Sequence, residues 1–194
     1  MRASQGELVQ PRPVSGIWQK KWFKIVVQAL LLIGFSAATA VAKRLHPSMG
    51  IPSSSAPFWL SMMVLARCTM NWNSAGTLVG VGTALFGIPI GLEQSFGQNL
   101  ASFAIAGFML DIMVFIPKMN IRRWWGAMVS ALVANMFQFG IIIYFSLTSP
   151  VAKHFVVVGL LNSIGLHIGF GILAGLVGWG VFKGGQMGFR RLFK

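Results

Sequence analysis

Residues 124–152 read WWGAMVSALVANMFQFGIIIYFSLTSPVA, without one Asp, Glu, Lys or Arg. A helix needs about 20 apolar residues to cross a hydrocarbon core of about 30 Å, and this stretch exceeds that length. A soluble surface helix would show a charged face opposite its apolar one, and none exists here. Residues 25–42 and 155–182 are just as free of formal charge. Shorter apolar stretches near residues 57–66, 74–92 and 98–116 bring the number to six. The pattern predicts an all-α integral membrane protein with six transmembrane helices.

The chain has 194 residues, 55% of them hydrophobic, and a mean hydropathy of +0.71. Six spans use most of that length and leave no room for a second folded domain. The expected organisation is a cytoplasmic N-terminal tail over residues 1–21, a membrane domain over 22–183, and a basic cytoplasmic tail over 184–194. Only Glu7, Glu93 and Asp111 are acidic, against 16 Lys and Arg. A net charge of +13 would suggest nucleic acid in a soluble protein. Here the basic residues cluster beside the spans, so the partner is the lipid bilayer and not nucleic acid.

Their distribution predicts an orientation. Arg2, Arg12, Lys20, Lys21 and Lys24 precede the first span, and Arg67 ends the second. Lys118, Arg122 and Arg123 separate the fourth and fifth spans, and Lys183, Arg190, Arg191 and Lys194 follow the sixth. The other side holds only Lys43, Arg44 and Lys153. By the positive-inside rule both termini are cytoplasmic, and a multi-pass protein of a prokaryotic cytoplasmic (inner) membrane is expected. An alternative remains in the first span. Basic residues 20–24, apolar residues 25–35 and Ala40-Val41-Ala42 also resemble a cleavable signal peptide, which would leave five spans. The single Cys68 excludes an internal disulfide.

Residues 43–56, KRLHPSMGIPSSSA, carry two prolines, a glycine and a serine run, so they interrupt the helix. The second span is short before it meets Arg67, and needs tilt, burial among neighbours or a snorkelling arginine. Small-residue pairs Gly76/Gly80, Gly87/Gly91, Gly165/Gly169 and Gly171/Gly175, with the stripe Gly34, Ala38, Ala42, mark expected helix contacts.

Polar groups within spans are costly and are therefore functional candidates. Asn135 and Gln138 are three apart on one helix face, roughly 16 and 21 Å from the start of the fifth span. Asn162, with Ser163 and His167, lies in the outer half of the sixth. These amides are expected to converge with Gln94, Gln98 and Asn99, with Glu93 as an outward acid and Trp59, Tyr144 and Phe145 as aromatic walls. A mostly apolar cavity with a few directed hydrogen bonds suits a small polar ligand. The competing structural reading is that the same groups bond neighbouring helices. Asp111 is expected to form an ion pair with Arg67, because a bare carboxylate in the span is expensive; a proton relay is the alternative. His167 lacks the companions a metal site needs, so no metal or cofactor is expected. The sequence holds no carboxylate pair, nucleophile–base set or phosphate loop, so it is not read as an enzyme.

Together these features resemble the substrate-binding S-components of energy-coupling factor (ECF) transporters. The resemblance covers about residues 28–183. It rests on the small-residue first helix, the Pro/Gly/Ser loop at residues 46–57, the glycine-rich stretch 76–91, and Gly107 with Asp111 in AGFMLD. It implies a substrate-capture subunit that takes a vitamin or related micronutrient from outside, in a pocket of outer loops and the last three helices. It further implies docking on a transmembrane coupling subunit and two cytoplasmic ATPases. The family's alanine spacing is matched by Ala38, Ala40 and Ala42, and Ala29, Ile33 and Gly34 offer an alternative contact surface on the same helix. Two other functions remain open: a stand-alone ion- or proton-coupled carrier using Asp111 and His167, and a non-transporting structural subunit.

Overall fold

The computed structural model describes residues 15–45, 53–92, 95–148 and 153–192, with side chains from 21–45 and 162–187 in the first and last of these segments. It is all-helical, with α1 (Ser15–Leu45), α2 (Ala56–Thr69), α3 (Ala75–Ile90), α4 (Phe96–Phe115), α5 (Trp124–Thr148) and α6 (Lys153–Leu192). The segments Lys21–Leu45, Phe96–Phe115, Trp124–Thr148 and Asn162–Met187 are long and apolar enough to cross a membrane. The six expected spans are thus six helices of unequal length, the second short as its sequence predicts. At 14 and 16 residues, α2 and α3 are about 21 and 24 Å long, short of a full hydrocarbon core. At the other extreme α6 continues to Leu192, through the segment assigned to the basic tail.

Helix α2 solves its short length by burial. It touches every other helix, while α1, α3, α4, α5 and α6 follow one another around it. Trp59, Leu60, Met63, Val64, Ala66 and Cys68 all lie in the core. The outside of the bundle is apolar instead: Leu30, Ile33, Phe108, Phe137 and Leu173 are among its exposed side chains. Exposed apolar area on this scale belongs against lipid or protein.

Close backbone approach sets the helix crossings. A Cβ on Gly107 would collide with the Gly76 carbonyl, and one on Gly80 with the Phe103 carbonyl, so α3 and α4 cross backbone to backbone. Gly175 meets Ala127 in the same way, joining α5 and α6. Without a hydrophobic drive between helices in lipid, such contacts supply the dispersion that holds a bundle. The expected pair Gly165/Gly169 does not behave so. Both are exposed, and an added Cβ meets nothing within 4 Å among the described residues. Gly87/Gly91 is a helix end, not a crossing: Gly87 packs on Leu92, and Gly91 takes the left-handed conformation (φ 69°) that closes α3.

The end of the bundle carrying Arg67 and Arg122 is closely stitched. Asp111 on α4 accepts hydrogen bonds from the Gly76 and Thr77 backbone N–H groups (2.9 and 2.8 Å) and the Thr77 hydroxyl (2.7 Å). It thus caps the first turn of α3, where a carboxylate meets both free donors and the positive end of the helix dipole. Arg67 Nε lies 2.9 Å from Asp111 Oδ1, an ionic contact off the hydrogen-bond direction. Arg122 donates to the Cys68 carbonyl and to Asn71 Oδ1, each at 3.1 Å, and its own carbonyl accepts from the Trp179 indole. These contacts join α2, α3, α4, α6 and the α2–α3 and α4–α5 turns.

Candidate functional site

Because α2 begins late, the turn before it, Ser53 to Ser55, enters the bundle instead of lying above it. Ser53 has a positive φ of 62°, unusual for a residue with a side chain. Its hydroxyl accepts from Asn135 Nδ2 (3.2 Å), on α5. Asn135 is 13 residues below the last residue of α5, about 20 Å along the helix. The Lys43 ammonium holds the same turn from α1 by donating to Ser55 Oγ (2.8 Å). Irregular backbone at such depth is tolerated where it is buried in protein or lines a cavity.

Asn135 is the centre of the group. It is fully buried, and Nδ2 also donates to the His167 carbonyl at 2.7 Å. Among the described residues its Oδ1 has no hydrogen-bond partner, an arrangement that costs about 1–3 kcal/mol when left unsatisfied. His167 Nδ1 faces the Ser163 carbonyl at 2.7 Å. A carbonyl only accepts, so Nδ1 carries the proton, and in the neutral form of the ring Nε2 is then an acceptor. The imidazole stacks on Phe139 with centroids 4.0 Å apart. Gln138, one turn from Asn135, is also buried.

Asn99 and Ser102 form a second buried polar pair on α4, three residues apart. Ser102 Oγ likewise has no partner among the described residues. Next to it, Phe103 meets Trp59 of α2 edge to face, with centroids 5.2 Å apart. The bundle interior thus holds two buried polar groups, one with an amide and an imidazole beside Phe139 and one with an amide and a hydroxyl near the Trp59–Phe103 pair. Such groups can orient a small planar molecule through hydrogen bonds and stacking. Among the described residues no three His, Cys, Asp or Glu side chains are grouped to hold a metal ion.

Of the candidate binding residues, Trp59, Asn99, Asn135, Gln138 and His167 are buried within the bundle, and Gln98 is half-buried in the first turn of α4. Tyr144 and Asn162 are exposed instead. Tyr144 makes an edge contact with Phe145 on its own helix. Glu93 and Gln94 lie outside the described residues. Arg67 and Asp111 meet at the basic end, where Asp111 is saturated with donors. On α1, Gly34 and Ala38 are exposed and Ala29 and Ala42 half-buried.

Ser53, Ser102 and Phe139 were not singled out from sequence. Ser102 repeats, with Asn99, the three-residue spacing that drew attention to Asn135 and Gln138, so that signal was available. Ser53 had no such signal, because its role depends on how deep the turn sits. No family model, curated protein or solved structure matches the chain.

Proposed function

We propose that the chain is the substrate-capture subunit of an ECF-type importer in a prokaryotic cytoplasmic membrane, with both termini cytoplasmic. It takes a vitamin or related micronutrient from the outer face and delivers it by docking on a transmembrane coupling subunit and two cytoplasmic ATPases. The reading is supported most by Asn135, a fully buried amide with an unpartnered acceptor, tied to a turn that dips into the bundle. With His167 Nε2, on a ring stacked against Phe139, it offers acceptors that suit an uncharged heterocycle bearing N–H or O–H donors. Asp111 does not favour a proton-coupled carrier, since the α3 N-terminus and Arg67 already engage it.

The test is native mass spectrometry of the gently solubilised protein, taken from rich medium and then offered a vitamin panel. A discrete vitamin-sized 1:1 adduct, lost in Gln138→Ala and Asn135→Ala, supports the reading. A clean unliganded mass after the whole panel contradicts it. Uptake in vesicles that requires ATP together with the coupling subunit separates the capture subunit from a carrier working alone.

A further inference from the structure

We infer that the seam between α1 and the α2–α3 turn is a binding site for one anionic phospholipid. Two adjoining cavities carry the argument. The first, about 410 Å³, is lined by Leu30, Leu31, Gly34, Phe35 and Ala38 of α1 and by Met62 of α2, with almost no polar surface. The second, about 460 Å³, lies toward the basic end and is lined by Lys24, Gln28, Asn71 and Trp72. Val27 borders both, so they lie end to end along α1.

The seam's chemistry changes along its length as a phospholipid does. Lys24, Gln28, Leu31, Phe35 and Ala38 recur at three- and four-residue intervals, which places them on one stripe of α1. The stripe spans 14 residues, about 21 Å. Half of a bilayer about 40–45 Å thick with its headgroups has that depth. At one end stand an exposed ammonium, two amides and an indole, the groups that favour the headgroup level. At the other end nothing polar is offered, as an acyl chain requires. Basic pockets between membrane helices on the cytoplasmic side are suited to anionic headgroups.

This site depends on membrane insertion alone and not on a transported substrate. A lipid here would cover Gly34 and Ala38, so it would have to leave before a partner helix packed on that face.

The experiment is native mass spectrometry of the full chain, delipidated and then titrated with phosphatidylglycerol or phosphatidylcholine of the same acyl composition. The expected result is a 1:1 phosphatidylglycerol adduct, formed about fivefold more readily than the phosphatidylcholine one, as a single lysine near the headgroups should give. Lys24→Gln should remove that preference. Gly34→Leu should abolish both adducts while the protein stays folded, because a Cβ at Gly34 meets nothing within 4 Å and the added side chain fills the groove. Equal retention of the two lipids by the wild type, an unchanged preference in Lys24→Gln, or an adduct surviving in Gly34→Leu would overturn the inference. So would a protein dimer that Gly34→Leu dissolves, which would assign the face to a second copy of the chain.

Discussion

The two halves of this bundle handle buried polarity in opposite ways. At the basic end, Asp111 receives three hydrogen bonds and an arginine, and Arg122 is held by Cys68, Asn71 and Trp179. Each contact joins elements far apart in sequence. In the other half, Asn135 and Ser102 are as deeply buried, yet among the described residues each keeps an oxygen with neither a hydrogen bond nor an opposite charge. Arg67 Nε at the basic end, also without a hydrogen bond, lies against the Asp111 carboxylate. Satisfied polar networks rigidify a fold, whereas partly satisfied ones are expensive to keep. The contrast separates a framework from a region with binding capacity to spare.

Substitutions can break that contrast, and the largest effect belongs to the framework. Asp111→Ala leaves Arg67 buried without its partner and the α3 N-terminus uncapped, and should cost about 3–5 kcal/mol. Asp111→Asn should cost less, because its one carbonyl oxygen still accepts from Thr77 or from Gly76, though not from both, since they bond different oxygens of the carboxylate; thermal unfolding in detergent compares the two. Gly107→Val forces α3 and α4 apart at their backbone contact and should cost about 1–3 kcal/mol or more by the same assay. In the other half, Ser102→Ala removes a hydroxyl that has no partner. It should leave stability unchanged or raise it by up to about 1 kcal/mol. A loss as large as that of Asp111→Ala would mean that Ser102 belongs to the framework too.

How much of this was legible in the sequence follows from the range of each interaction. Uncharged runs reported the long helices, since chain length and charge are local properties. The Arg67–Asp111 contact was also legible, because cost in lipid demands a partner and few were available. What the sequence left open was the capping of α3 by Asp111, which needs the backbone of one helix to meet the side chain of another. Depth was misleading for Tyr144 and Asn162: counting residues gives height along a helix but not the direction it faces. Gly165 and Gly169 fail for the same reason, as their spacing is right but their face is outward. The short second span was visible, but its consequence, a turn deep enough to reach Asn135, required the packed bundle.

The most direct test is a set of binding isotherms for the vitamin identified by mass spectrometry, measured in parallel on the wild type, Gln138→Ala, Asn135→Ala and Arg122→Gln. Loss of one ligand hydrogen bond of typical strength weakens binding about tenfold. The account predicts at least that loss for Gln138→Ala and Asn135→Ala, with affinity unchanged in Arg122→Gln. Unaltered binding in the two amide variants, with loss in Arg122→Gln, would contradict it and move the site to the basic end.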